Sequence, residues 1–216
     1  MITISSVSAL ILAYLMGSIP TAVWIGKIFY GVDVREYGSG NAGATNTFRV
    51  LGKKAGIPVM LIDILKGFTA TYFLAKMIGM SITGGHHAHL MSYELALGIA
   101  AVMGHLFPVF AGFRGGKGIA TLFGMVLAVN LSAGLLCVIV FIIVLLITRY
   151  VSLSSITGGF TYLIGVTFFY NNDTNNLVVI FGMCICLLIL VTHQKNIERL
   201  LKGTESKVNL FKRKEV

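Results

Sequence analysis

Residues 118–150 read GIATLFGMVLAVNLSAGLLCVIVFIIVLLITRY, and Arg149 is the first charge in the run. A helix covers the hydrocarbon core of a bilayer in roughly 20 residues, so this stretch is too long for one ordinary span. VNLSAG at 129–134 sits in its middle and contains turn-forming residues. Splitting there gives two short segments. The first is too short to cross a full bilayer unless neighbouring residues extend it or the bilayer thins around it. Further apolar segments lie on both sides, at about 4–30, 57–80, 93–110, 153–170 and 177–192. That makes seven segments. The first has no basic leader and is too long for a signal peptide, so it reads as a span.

Charge placement agrees with seven. With the N-terminus outside and the C-terminus inside, the inner segments hold Lys27, Arg35, Arg49, Lys53, Lys54, Arg114, Lys117 and Arg149. They also hold the basic tail from Lys195 to Lys214. The outer segments at 81–92, near Leu131, and at 171–176 contain no Lys or Arg. This is the positive-inside pattern, and six spans would put the basic tail on the wrong side. Composition supports the same class. The chain is 56 % hydrophobic and only 12 % charged, with a mean hydropathy of +0.87, against about 25 % charged in soluble domains. The net charge of +9 is accounted for by topology and anionic headgroups, and nucleic acid is not an expected partner. Cys137, Cys184 and Cys186 all sit in apolar segments and offer neither a disulfide framework nor metal spacing. The HHAH run (86–89) falls on the outer side and lacks matched ligands, so no metal is expected.

Two charges lie inside a span. Asp63 and Lys66 are three residues apart and share one helical face. They read either as a structural pair in the bundle or as a substrate contact led by Lys66. Lys76, near the outer end of the same segment, is expected to snorkel.

Three polar segments share the predicted inner face: 34–56, 103–121 and 192–205. The first contains GSGNAGATN (38–46). Its glycines permit tight turns whose N–H groups can form an anion nest. Ser39, Asn41, Thr45 and Asn46 add neutral groups, and Arg49 adds a fork suited to phosphate. The second contains FRGGKGIAT (113–121), in which Gly115, Gly116 and Gly118 surround Lys117 at the start of a helix. This is not a P-loop, because Gly118 follows the lysine where Ser or Thr is required. His105 lies just upstream, either packed or near a pocket. The third segment spaces His193, Asn196, Ile197 and Leu200 on one helical face, which also fits an amphipathic surface helix. Glycine-rich loops, convergent cations and a His–Asn pair suit a small phosphorylated molecule.

GSIPTAVWIGK (17–27), REYGSGNAGATNTFRVLGKKAG (35–56), GHLFPVFAGFRGGKGIAT (104–121) and HQKNIERLLKGTE (193–205) resemble, in order and spacing, the bacterial membrane glycerol-3-phosphate acyltransferases of the PlsY family. The resemblance implies an all-α integral membrane protein, a seven-helix hourglass-like bundle, in which residues 1–216 form a single acyltransferase domain. It implies transfer of a fatty acyl group from acyl phosphate to the 1-hydroxyl of sn-glycerol 3-phosphate. The products would be 1-acyl-sn-glycerol 3-phosphate (lysophosphatidate) and inorganic phosphate, at the inner face of the bacterial cytoplasmic membrane. Acyl-CoA and acyl carrier protein would not serve directly as donors, and no cofactor is expected. By motif position, Ser39, Arg49, His193 and Asn196 match essential residues. Gly115, Gly116, Gly118 and Lys117 match the acyl phosphate site, and Glu205 matches a structural position. Lys66 and His105 match polar positions near the pocket. Gly40, Asn41, Thr45, Asn46 and Arg114 complete the substrate-binding set. A monomer is expected, with membrane lipids as its surroundings.

Phosphate is a good leaving group from a mixed anhydride, so no covalent enzyme intermediate is needed. Fixed cations would offset repulsion between two anionic substrates. Backbone N–H groups, or Ser39 and Asn41, could stabilise the developing carbonyl oxyanion. His193 is the conventional base, whereas the resemblance favours a substrate phosphate as proton acceptor. A transporter of an anionic solute is the alternative, but it would call for repeats and midplane sites, and no repeat is visible.

Overall fold

A computed structural model describes residues 4–77, 87–169 and 175–208. All of their regular structure is helical: α1 (Ile4–Gly17), α2 (Thr21–Tyr30), α3 (Ala44–Leu51), α4 (Lys53–Phe68), α5 (His87–Leu106), α6 (Ile119–Val129), α7 (Leu131–Thr148), α8 (Val151–Phe169), α9 (Asn175–Thr192) and α10 (Gln194–Leu201). Short 3₁₀ turns occur at Val34–Glu36 and Val109–Ala111. Four stretches are long and apolar enough to cross a membrane: Lys53–Met77, Leu90–Ala111, Leu131–Thr148 and Val151–Phe168. Two bent pairs, α1 with α2 and α9 with α10, raise the number to as many as six. The apolar α6 is shorter. The backbone of α5 begins at His87, while the side chains of the HHAH run and the tail beyond residue 208 lie outside the described residues.

The expected break in the long apolar stretch falls at Asn130. Its extended backbone (φ −150°, ψ 96°) ends α6 one residue before α7 starts. The first segment differs from a single straight span. It bends by 40° between α1 and α2, because Gly17, Ser18 and Ile19 lead into Pro20, which has no N–H with which to continue the helix. α4 runs on through a π-helical stretch, Thr69–Leu74. Such wider turns are uncommon and occur mostly as local bulges in α-helices.

The chain forms two compact units, with the division after Leu131. In the first, α1 packs on α5 and α4 packs on α6. Lipid is as apolar as leucine, so helices in a membrane associate by close approach rather than by the hydrophobic effect. Here that approach is made by reciprocal glycines. A Cβ on Gly17 would overlap the Ala101 carbonyl, and one on Gly104 would overlap that of Tyr14. Gly67 meets Thr121, and Gly124 meets Ile64, in the same way. Ala9, Ala13, Ala70 and Ala101 continue the small-residue core with Leu74 and Leu97. Gly124→Leu is therefore expected to destabilise this unit by about 1–3 kcal/mol through overpacking. The measurement is the thermal midpoint in detergent.

In the second unit α8 packs on α9. Gly159 admits the Ile189 side chain, and Tyr162 meets Phe181 edge-on at 5.8 Å. Only Ala133, Gly134 and Cys137 of α7 are buried, while Leu135, Ile139, Ile143 and Ile147 are exposed. An apolar face this extensive suits lipid contact. Of the cysteines, Cys137 and Cys186 are buried, whereas Cys184 is exposed.

Candidate active site

The first polar segment folds into a loop that Asn46 holds from below. Gly38 (φ 63°) and Gly40 (φ 73°) both adopt left-handed backbone, a conformation glycine takes without steric cost. They turn the chain sharply on either side of Ser39. The Ser39 N–H then donates to Asn46 Oδ1 (2.8 Å), and Asn46 Nδ2 donates to the carbonyls of Val34 (2.8 Å) and Tyr37 (3.1 Å). Asn46 is 2 % exposed, and its amide is used by the loop's own backbone. The Gly40 N–H goes to the Tyr37 carbonyl. Of the loop amides in which the sequence suggests an anion nest, those of Ser39 and Gly40 are used internally, because the loop has to satisfy its own tight turn. The side chains of Ser39 and Thr45 are exposed and Asn41 is half-buried. Arg49 is exposed in the last turn of α3. It makes no hydrogen bond or ion pair with another described residue.

Arg35 joins this loop to the second polar segment. Its Nε and Nη2 donate to the two oxygens of Asp33 (3.0 and 2.8 Å). Its Nη1 reaches the carbonyls of Ala111 (2.7 Å) and Arg114 (3.3 Å), nearly 80 residues away. The Arg35 guanidinium holds the Asp33 carboxyl well below the usual carboxylate range, with the Lys27 ammonium adding to it against the opposing effect of burial. The same pairing raises Arg35. The Asp33–Arg35 clamp was not predicted from sequence, and no spacing rule would have found its carbonyl partners. Replacing Arg35 with Ala is expected to cut activity at least about tenfold, as charge-assisted bonds are lost. A thermal midpoint measured alongside the rate separates loop placement from global unfolding.

The second loop lies directly against the end of α5. A side chain on Gly115 would overlap the carbonyls of His105 and Leu106, and one on Gly116 would press on His105 Nε2 at 2.5 Å and the Ala42 carbonyl at 3.0 Å. The Gly116 N–H donates to the His105 carbonyl (3.3 Å). These two glycines thus permit close backbone approach, and the Gly116 amide is used within the protein. Lys117 is half-buried and Arg114 exposed, while buried Gly118 caps α6.

Beneath the loops is a buried polar cluster. Lys66 Nζ donates to Asp63 Oδ1 (2.8 Å) and to the Ile19 carbonyl (3.0 Å). Thr21 Oγ1 donates to the same Asp63 oxygen (3.1 Å), and His105 Nδ1 stands 3.6 Å from it. His105 Nδ1 also lies 3.2 Å from Thr121 Oγ1. Lys66 and His105 line a small cleft with Gly17, Ile19, Pro20, Thr21, Ala42, Pro108 and Gly115. The first two polar segments therefore meet around one cleft within the first unit. Thr21 and Thr121 are additions to the predicted set. Both lie inside the quoted motifs, but neither has a charge to draw attention from sequence.

The third segment forms its own cluster within the second unit. α9 and α10 meet at a 66° bend, with His193 at the corner and its carbonyl accepting from the N–H groups of Asn196 and Ile197. The buried His193 ring has Nδ1 2.9 Å from the Ile189 carbonyl. A carbonyl only accepts, so Nδ1 bears a proton and donates to it. Glu205 accepts from Asn196 Nδ2 (2.6 Å), Arg199 Nε (2.6 Å) and Ser152 Oγ (2.8 Å). Burial pushes the Glu205 carboxyl up, but these three donors outweigh it and leave the group below its ordinary value. A carboxyl depressed by folding adds stability above its unfolded pKa of about 4.3 and loses it as pH falls toward the folded value. Glu205→Gln is therefore expected to lower the thermal midpoint at pH 7. The difference from wild type should be constant down to about pH 5 and then close below about pH 4. Thermal unfolding at several pH values checks this.

Comparison with known proteins gives a consistent result. The family described as glycerol-3-phosphate acyltransferase matches residues 7–203. A glycerol-3-phosphate acyltransferase of Listeria monocytogenes is 43 % identical, with 95 % of this chain and 98 % of that one aligned. One from Salinibacter ruber is 42 % identical over 94 % and 92 % of the two chains. A crystal structure of PlsY (YgiH), an integral membrane glycerol 3-phosphate acyltransferase in its glycerol 3-phosphate form, superposes with a TM-score of 0.81 at 40 % identity. It covers 96 % of this chain and 100 % of that one. With its membrane-length apolar helices and with all four motifs inside the matched region, or within two residues of its end, this chain belongs to the glycerol-3-phosphate acyltransferase family.

Proposed function

We propose that this integral membrane protein transfers a fatty acyl group to the 1-hydroxyl of sn-glycerol 3-phosphate, with acyl phosphate as donor. The products are lysophosphatidate and inorganic phosphate, and the reaction begins phospholipid synthesis. The observation that carries the reading is the junction of two glycine-rich motifs by Arg35, around a cleft that contains Lys66 and His105. Family membership supplies the substrate class.

The glycerol hydroxyl oxygen attacks the carbonyl carbon of the mixed anhydride. The new ester C–O bond forms, the bond to the phosphate oxygen breaks, and phosphate leaves with the electron pair. The hydroxyl proton passes to a substrate phosphate. Arg49, Lys66 and Lys117 offset the repulsion between the two anionic substrates, and Lys66, held by Asp63 and the Ile19 carbonyl, reduces the orientational cost. Ser39 and Asn41 stabilise the developing oxyanion, and His193 and Asn196 orient glycerol 3-phosphate. The acyl chain stays in an apolar environment, which favours it by about 0.8 kcal/mol per CH₂.

The whole chain acts as one acyltransferase domain, as a monomer, in the bacterial inner membrane. It spans the bilayer seven times, with the N-terminus outside, the C-terminus inside and the active face toward the cytoplasm. Two bent helix pairs, four long helices and the short α6 support this number, and the distribution of Lys and Arg supports the orientation.

The test uses purified protein in detergent or lipid, supplied with acyl phosphate and sn-glycerol 3-phosphate. Equal appearance of phosphate and lysophosphatidate, with none from acyl-CoA, is the expected result. Absence of lysophosphatidate from a folded protein would sink the reaction and turn attention to solute transport. Product from acyl-CoA alone would overturn the donor.

A further inference from the structure

Asp63 is 1 % exposed, in the middle of a helix long and apolar enough to span a membrane. A charge there is costly and is commonly retained for function. Among the described residues, all of its polar contacts enter through one oxygen. Oδ1 accepts from Lys66 and Thr21 and faces His105, while Oδ2 is buried with no hydrogen-bond partner among the described residues. Both of the side chains it faces on α4 and α5, Lys66 and His105, line the cleft. An ammonium has three donors, and Lys66 directs one to Asp63 and another to the Ile19 carbonyl. Ile19 and Lys66 both line the cleft, and the third donor of Lys66 has no hydrogen-bond partner among the described residues. The backbone is fixed equally closely, since Gly67, next to Lys66, abuts the Thr121 carbonyl. The hydroxyl of Thr121 in turn lies beside His105.

We propose that Asp63 is a positioning residue of the acyltransferase site: its buried carboxylate fixes the Lys66 ammonium and the His105 ring on one wall of the cleft, and Lys66 so held binds a phosphate group of substrate. The proposal rests on the reaction assigned above and adds a residue that the motif matches do not include. A purely structural ion pair would stabilise the fold and leave substrate affinity alone. A positioning carboxylate acts on affinity, and acts through Lys66.

The experiment is a double-mutant cycle on the full-length protein, with Asp63→Asn, Lys66→Met and the pair. Asp63→Asn is expected to raise KM for one of the two phosphate-bearing substrates about tenfold, the loss of one charge-assisted hydrogen bond, with kcat within about threefold. The double variant should match Lys66→Met alone. Thr71→Val is the structural comparator, because among the described residues that buried hydroxyl bonds only within its own helix, to the Gly67 carbonyl (2.8 Å). It should lower the thermal midpoint and leave KM unchanged. Multiplying effects in the pair, or a lowered midpoint with unaltered KM in Asp63→Asn, would overturn the proposal. If Asp63→Asn does not fold, Asp63→Glu decides. It keeps the charge but displaces it by one methylene, and an unchanged KM for both substrates would overturn the idea. A second measurement is independent of the reaction. Inorganic phosphate should raise the thermal midpoint of wild type more than that of the Asp63 variant, and equal shifts would count against the proposal even if lysophosphatidate is made. Phosphate binding lost in the variant, with no lysophosphatidate from wild type, would support the positioning role and sink the reaction instead.

Discussion

Arg49→Ala is expected to reduce lysophosphatidate formation by on the order of 10²–10³, the range for removing one donor from the charged groups of the reaction. The prediction follows from its setting. Arg49 is exposed at the end of α3 and has no hydrogen-bond or ion-pair partner among the described residues. Arg35, by contrast, is engaged on every side. Removing Arg49 therefore leaves no buried anion behind and should not disturb the fold. Its thermal midpoint should stay near that of wild type while the rate collapses. Arg49→Lys should recover only part of the loss, because a point charge does not reproduce the planar fork. Initial rates of phosphate release with acyl phosphate and glycerol 3-phosphate decide the matter. A rate within about threefold of wild type would remove Arg49 from the reacting groups.

The second large effect is expected at Gly116. Gly116→Val would place carbon against His105 Nε2 and the Ala42 carbonyl, where the second loop, the end of α5 and the first loop converge. The loop must withdraw, which displaces Lys117 and breaks the cleft wall. A misplacement of about 1 Å can cost about 10²-fold in rate, and a loss of that order is expected in kcat/KM. Gly43→Ala is the matched control. It lies in the first loop with extended backbone (φ −136°) and no atom within 4 Å of a Cβ placed there, so only a small change is expected. If Gly116→Val retains normal kcat/KM, the close approach has no catalytic consequence.

Much of the architecture was legible because lipid imposes simple rules. The break at Asn130 could be read from length and turn residues, and the Asp63–Lys66 pairing from a spacing of three. The bend at Pro20 was obscured because its flanks are apolar enough to form one continuous run. The site was less legible. Asn46 reads as a ligand donor in sequence, yet its amide faces inward, because a loop with two left-handed glycines needs a scaffold for its own carbonyls and amides. Arg35 reads as an ordinary inside-positive residue, but it recognises main-chain carbonyls, which have no sequence signature. Gly115 and Gly116 suggested a cradle for an anion, whereas what they first accommodate is the end of α5.

The short α6 has a consequence for how two unlike reactants can meet. Eleven residues rise only about 16 Å, roughly half the thickness of a hydrocarbon core. If α6 is one of the seven proposed spans, the bilayer beside it has to dimple, or polar solvent has to descend to its starting turn. That turn begins at Gly118, directly after Lys117 in the second glycine-rich loop. A water-soluble phosphate ester can then travel inward while the donor's chain remains among its neighbours in the leaflet. On that topology the proposed reaction takes place at a locally lowered shoreline, and neither partner has to leave its own phase.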